Sequence, residues 1–515
     1  MKRTILLLTT LSAWLTGLAQ NPIVSHCYTA DPAPVVFEGN DSLYFYCDED
    51  MNVPGVNDYY YMERWRVYST VDMVNWTDHG VAMPRTAFSW AQEGTCWASQ
   101  CTEKNGKYYW YMCASKPNDW KNYIGVGVSD SPSGPFKDIR RRPIVDTGTG
   151  GDIDPTVFTD DDGKTYLYWG NNKLCYAELQ SSMVLLNQRL GNKGVVDVPL
   201  TAEAFGGVKV DGKVEGVDCY EEGPWLDKRG DNYYLLYAAG GVPEHIAYSM
   251  SKSPTGPWTY KGQVMKLQDT GSFTNHCGMV HYAGRDYFFY HTGWTPGGGG
   301  FNRSVAVEEM HFDALTGEIQ PIVATRKGVA PIRTMNPYLK QQAETLNAAS
   351  GIEVVGNEST GVYVTGIHAT DSMRVAHVDF GESGAKAIKL RVAKGGGSGV
   401  LVIRLDNSRG RVLAQIPIAD TGGNSVWDEQ VYDLKVSPTG IHDLHFSFRG
   451  SLSRDDKSTL FNWDWWQFLD VDTAIDGVSE SNESADTRFY TLQGIPVDHP
   501  AHGVYIRKGK KIYVP

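Results

Sequence analysis

One pattern recurs five times in the N-terminal part of the chain, and it limits the fold more than anything else in the sequence. A polar turn runs into a strand of alternating aromatics: GNDSLYFYCDED, KNGKYYWYMCAS, DDDGKTYLYWGN, KRGDNYYLLYAAGG and YAGRDYFFYHTG. Aligned on Tyr44, Tyr108, Tyr166, Tyr233 and Tyr287, the copies lie 64, 58, 67 and 54 residues apart. A second echo (VYSTVDMVNW, VGVSDSPSGPF and AYSMSKSPTGPW) carries a further strand into a turn. Strand-rich units at such a period bury their faces only against their neighbours, as propeller blades do. The expectation is an all-β chain whose residues 20–335 form a five-bladed β-propeller.

Each aromatic strand has a chemically distinctive residue at a nearly constant distance upstream. Asp31 lies 13 residues before Tyr44, Trp97 lies 11 before Tyr108, Asp154 lies 12 before Tyr166, Glu222 lies 11 before Tyr233 and His276 lies 11 before Tyr287. The innermost strand of a blade lines the central channel, so residues at one phase converge on one funnel. Buried carboxyls are costly without partners, which makes this a poor way to build a core. It suits glycoside hydrolysis, where one carboxylic acid protonates the leaving oxygen and a carboxylate activates water or attacks carbon. A third acid that keeps the donor protonated fits the same logic.

Competing assignments exist at several positions. Glu221 competes with Glu222, and phase favours Glu222, directly before the Gly223-Pro224 turn. Asp152 competes with Asp154 from the same strand face, and only the Asp-Pro pattern shared with Asp31 favours Asp154. Trp97 reads as packing or as a sugar platform, and His276 as a core histidine or a ligand. Asp160, Asp161, Asp162 and Gly163 occupy a hairpin tip, where Asp-Gly is turn chemistry.

TADPAPVV, DIDPTVFTDDDGKTYLYWGN, EEGPW and SFTNHCG resemble glycoside hydrolase family 43, the inverting five-bladed propeller enzymes. Longer stretches, among them YLLYAAGGVPEHIAYSMSKSPTGPW and FFYHTGWTPGGGGFNRSVAVE, are most similar to its arabinoxylan arabinofuranohydrolase-like members. The resemblance implies Asp31 as general base, Asp154 as the acid that tunes and orients the donor, and Glu222 as general acid. It implies Arg303 as a residue that binds sugar hydroxyls or tunes the acids. The chemistry needs no cofactor, while a structural calcium is implied near a fifth-blade histidine, His276 or its competitor His291. The implied substrate is arabinoxylan, xylan or derived oligosaccharides, with removal of α-L-arabinofuranosyl side groups. β-Xylosidase activity on the same scaffold and a noncatalytic sugar-binding propeller are the alternatives.

The remaining chain reads as accessory. Residues 336–473 alternate short strands and suggest a β-sandwich (jelly roll) resembling a family 6 carbohydrate-binding module, with Glu344 and Asn462 at matching positions. Its usual aromatic platform is replaced by ATDSMRV and TGGNSVW, which leaves Trp427 as a doubtful sugar contact and bracing of the propeller as an equal role. Residues 474–487 are polar and linker-like, and 488–515 form a small strand-rich tail similar to C-terminal sorting tails. Residues 1–19 carry the basic start, apolar run and Gly17/Ala19 end of a signal peptide, so a secreted, periplasmic or cell-surface location is expected, with no transmembrane segment. A net charge of −13 spread along the chain argues against nucleic acid as partner. Eight cysteines allow disulfides in such a location, yet Cys47 and Cys113 sit in apolar strands and fit buried thiols equally well.

Overall fold

A computed structural model describes residues 21–56, 58–357, 360–451 and 458–470, together with four short strands between 489 and 514. The expected signal peptide and the 474–487 linker lie outside the described residues. The architecture is all-β, and the chain divides after residue 470 into two compact units.

Five antiparallel sheets follow one another in the first unit. The first contains β1 (Ala30–Val36), β2 (Leu43–Asp48), β3 (Arg64–Thr70) and β4 (Trp76–Pro84). The second contains β5 (Trp97–Lys104), β6 (Lys107–Lys116), β7 (Asp119–Ser129) and β8 (Lys137–Asp138). The third contains β9 (Thr156–Thr159), β10 (Thr165–Trp169), β11 (Leu174–Glu178) and β12 (Val196–Val198). A side hairpin, β13 (Gly207–Val210) and β14 (Lys213–Gly216), precedes the fourth sheet, β15 (Tyr220–Arg229), β16 (Asn232–Ala239), β17 (His245–Ser251) and β18 (Thr259–Met265). The fifth has β19 (Gly278–Tyr282), β20 (Arg285–Thr292) and β21 (Ser304–Met310). First strands meet in succession, β1 with β5, β5 with β9, β9 with β15 and β15 with β19, and β1 also touches β19.

The aromatic strands explain why such sheets stack. In β2, Tyr44 and Tyr46 enter one core cluster while Leu43, Phe45 and Cys47 enter another on the opposite face. In β6, Trp110 and Met112 face one way, Tyr111 and Cys113 the other. Each repeat strand is thus covered on both sides, and each fully buried large side chain contributes roughly 1.5–3 kcal/mol. The tyrosines carry a hydroxyl that needs a partner in such a core. Tyr46 donates to Pro132 O at 2.6 Å and Tyr168 to Pro254 O at 2.7 Å. Those carbonyls belong to the SPSGPF and SPTGPW turns, so the second sequence echo supplies acceptors for the first.

Residues beyond the fifth sheet form two further sheets around their own core, which includes Trp463, Trp466 and Phe446. β22 (Gln341–Gln342) pairs with Trp465 and Trp466 in one of them, and β23 (Thr345–Leu346) adds instead to the first sheet by pairing with β4. Asn75 and Ala376 exchange two hydrogen bonds of 2.8 Å across this seam, and Asn347 Nδ2 donates to Val74 O at 2.8 Å. The second unit is a four-stranded antiparallel sheet of Pro496–Val497, Phe489–Tyr490, Gly503–Arg507 and Lys510–Val514. All eight cysteines are free thiols, and all but Cys27 are buried.

Candidate active site

The six site residues singled out from sequence, Asp31, Trp97, Asp154, Glu222, His276 and Arg303, line one cavity of about 220 Å3. Backbone irregularities aim them. The β1–β2 register shifts between Ala30 and Ala33, around Asp31, and the β15–β16 register shifts on both sides of Glu222. A fourth shift follows Trp97 in β5. Bulges of this kind break the two-residue alternation and re-aim a side chain. Asp31 has φ +48°, Asp154 φ +58° and Gly223 φ +58°, and a proline follows each. Left-handed backbone at non-glycine positions is strained and clusters at functional sites. A side chain at 223 would be strained by that φ and would bring its Cβ within 3.2 Å of His276 Nδ1, a tighter than ordinary contact.

The acids differ in environment. Asp31 Oδ1 accepts from Arg303 Nη1 at 2.9 Å and lies 3.2 Å from His291 Nδ1 and 3.9 Å from His276 Nδ1. Burial pushes the Asp31 carboxyl up, but the Arg303 charge and the two histidines outweigh it and hold it well below the usual carboxylate range. Asp154 moves the other way, raised well above that range by burial and by the charges of Glu222 and Asp31. It accepts from Gly223 N–H at 3.1 Å. Burial raises Glu222 as well, opposed by a hydrogen bond from Asn171 Nδ2 and reinforced by Asp31. One carboxyl is therefore shifted toward its ionised form and two others toward their protonated form, the division of labour that acid–base cleavage of a glycoside requires.

Arg303 is spent on carboxylates. Its Nε and Nη2 donate to Asp50 at 2.9 and 3.0 Å, its Nη1 to Asp31, and its guanidinium lies 4.6 Å from the Tyr60 ring centroid. Trp97 lines the cavity, its ring fixed by Nε1 donating to Tyr60 O at 2.9 Å. Burial lowers His276 to about 4, so its ring is neutral near pH 7. His291, the competitor, lines the same cavity with Nε2 2.9 Å from Thr274 O and Nδ1 accepting from Asp31 N–H at 3.4 Å.

Asp152 is fully buried and away from the cavity lining, bound by Thr147, Trp169 Nε1 at 3.0 Å and Lys173 Nζ at 3.2 Å. Glu221 likewise faces away and pairs with Lys209 Nζ at 2.7 Å. The aspartate cluster is a turn, as its sequence predicts, with Gly163 N–H donating to Asp160 O at 2.9 Å. Asp160 adds a tether to the fourth sheet through Tyr233 OH at 2.8 Å. Several site groups carry no phase signal. Asp48 is buried with both carboxyl oxygens unpartnered, and burial with the Asp31 charge raises it well above the usual range. Glu244, also raised well above that range by burial and Glu222, receives Asn275 N–H at 2.7 Å.

Calcium takes six to eight oxygen ligands. Around His276 the nearest carboxylate oxygen is Asp31 Oδ1, 3.9 Å from Nδ1. An ion there would depend on water for most of its shell, and no step below uses one.

Residues 19–314 match the model of glycosyl hydrolases family 43. The chain belongs to that family. It is a glycoside hydrolase, and residues 342–470 match carbohydrate binding module (family 6). This family 43 enzyme is 30% identical over 497 residues to the arabinoxylan arabinofuranohydrolase of Bacillus subtilis (strain 168), covering 87% of this chain and 92% of that protein. The crystal structure of a family 43 arabinoxylan arabinofuranohydrolase from Bacillus subtilis in complex with cellotetraose superposes with a TM-score of 0.71 at 28% identity, covering 87% and 97% of the two chains. The xylosidase/arabinosidase of Bacteroides ovatus is 30% identical over 314 residues, 56% of this chain and 93% of that one.

In the module, Glu344 is buried at the seam, its backbone O accepting from Asp78 N–H at 3.2 Å. Asn462 is tied to Thr365 and Asn424 at 2.7 Å. Trp427 is half-buried, edge-on to Tyr363 with ring centroids 5.2 Å apart and with the Arg391 guanidinium 5.1 Å from its own centroid.

Proposed function

We propose that this enzyme removes α-L-arabinofuranosyl side groups from arabinoxylan or its oligosaccharides by single displacement with inversion. Asp31, held ionised by Arg303, takes a proton from the attacking water. Glu222, raised by burial, protonates the departing xylose oxygen. Asp154, accepting from Gly223 N–H, fixes the turn that presents Glu222 and so orients the donor. Arg303 tunes Asp31 rather than gripping sugar. The single observation that carries the reading is the convergence, on one cavity of about 220 Å3, of one carboxyl held below the usual range and two raised above theirs. Relatedness to arabinoxylan arabinofuranohydrolase over most of both chains supports the substrate.

The five sheets, on this reading, are blades of a closed five-bladed propeller spanning residues 20–335, with the β1–β19 contact as its closure. Residues 336–473 form a sandwich that braces blade one, residues 474–487 a linker and 488–515 a sorting tail. Residues 1–19 direct export, which places the enzyme among extracellular polysaccharides.

A second reading, β-xylosidase, draws on the xylosidase/arabinosidase relative. Release from arabinoxylan and from the 4-nitrophenyl arabinofuranoside and xyloside separates the two. Arabinose from the polymer supports the first, and xylose the second. Unchanged turnover in Glu222→Gln would sink both.

A further inference from the structure

A group of side chains at the seam between the first sheet and the sandwich takes no part in the hydrolysis proposed above. His26 Nε2 lies 2.8 Å from Asp78 Oδ2. One donor atom from each of His26, Cys27 and Asp78 lies within 4.8 Å of the other two. His26 and Cys27 line a cavity of about 920 Å3, separate from the one that holds the acids. Cys27 is the one cysteine of the eight that is not buried.

We propose that His26, Cys27 and Asp78 bind a divalent transition-metal ion of the zinc class, with water from the cavity completing its shell. Imidazole nitrogen, thiolate sulfur and carboxylate oxygen are the donors zinc takes, and three protein ligands with one open position form a recurrent coordination. A thiol and an imidazole in a set of three exclude calcium and magnesium, which take oxygen. With bonds of about 2.0–2.1 Å at the tetrahedral angle, nitrogen and oxygen stand about 3.3 Å apart. The metal thus replaces the proton between His26 and Asp78 after the pair opens by about half an ångström.

The surroundings orient these donors. Gly80 N–H donates to Asp78 Oδ1 at 2.7 Å, and Arg66 Nη1 reaches both Asp78 oxygens at 3.1 and 3.0 Å. Ligating carboxylates are characteristically hydrogen-bonded in this way. Arg66 also pairs with Glu49, which offsets the cationic charge nearest the ion. Tyr68 OH lies 3.2 Å from Cys27 Sγ. The ion would tie the segment ahead of β1 to β4. Neighbouring Ser25 already accepts from Ala349 N–H at 2.9 Å and donates to Ala349 O at 2.8 Å, so the same ion would stiffen the seam with the sandwich.

The test uses the tag-free full chain, stripped with a chelator and titrated with Co2+ alone. The expected result is one cobalt per chain, a near-ultraviolet thiolate-to-cobalt band, intense four-coordinate visible bands, and displacement by Zn2+. Cys27→Ser should lose the thiolate band and at least about tenfold in affinity, with turnover of the aryl arabinofuranoside unchanged. A wild-type spectrum without the thiolate band, or one that persists in Cys27→Ser, overturns the proposal. The wild-type titration decides by itself if the variant does not fold.

Discussion

Replacing Arg303 with Gln separates tuning of the base from binding of the sugar. Arg303 Nη1 stands 2.9 Å from Asp31 Oδ1, and both side chains are buried. An opposite charge at such range lowers an aspartate by roughly 1–3 pH units, each worth about 1.4 kcal/mol. Losing the guanidinium leaves Asp31 among Asp48, Asp50 and Asp154, with only the His276 and His291 rings nearby to offset burial. The base then ionises later as pH rises. The acidic limb of kcat/KM reports the free enzyme's base, so it should move upward by about 1–3 units in Arg303→Gln, with activity returning above the shifted limb. Breaking one partner of a buried ion pair also costs about 3–5 kcal/mol of stability, so Arg303→Lys, which keeps the charge, is the companion variant and should shift the limb less. The assay is kcat/KM for 4-nitrophenyl arabinofuranoside from pH 3 to 9, with folding checked by circular dichroism. A limb that stays in place while KM rises would refute the tuning role and make Arg303 a sugar contact.

Further outcomes follow from the same geometry. Glu222→Gln should lower kcat on arabinoxylan by about 10²–10⁴, with a smaller loss on the 4-nitrophenyl substrate, whose leaving group needs little protonation; equal losses would argue against Glu222 as proton donor. Asp154→Asn should raise Tm at pH 7 by roughly 1–3 °C while reducing turnover. A carboxyl raised in the folded state is fully accommodated below the ordinary value of about 4 and destabilises as pH climbs above it, so the gain should vanish near pH 4; calorimetry at the two pH values checks this. Asn75→Ala should cost about 1–3 kcal/mol by leaving Ala376 N–H and O unpartnered at the seam, read as a lower urea midpoint.

The repeat was legible because its physics is local: aromatic strands bounded by turns, each demanding cover on both faces. The phase of Asp31, Asp154 and Glu222 was legible for the same reason. Strand parity could not separate Asp152 from Asp154, since parity assumes regular backbone and Asp154 sits at φ +58°. The structure separates them, Asp152 serving Thr147, Trp169 and Lys173 instead of the cavity. Asp48, Asp50 and Glu244 were invisible to phase. Asp48 ends β2, Asp50 follows it and Glu244 sits in a loop, and they matter only because distant segments bring Arg303 and Glu222 beside them. Trp97 and Arg303 were visible as residues, but their use was not. The Trp97 indole N–H is bound to Tyr60 O and the Arg303 guanidinium to two aspartates. The weak point of the sandwich reading was Trp427, whose partial cover by Tyr363 and Arg391 depends on strands far apart in sequence.

Proton NMR of the first turnovers on arabinoxylan tests the central claim most directly. A water activated by Asp31 and a leaving oxygen protonated by Glu222 on opposite faces of the sugar predict arabinose appearing first as the β-anomer and mutarotating later. Arabinose appearing first as the α-anomer, or xylose in its place, would contradict the account.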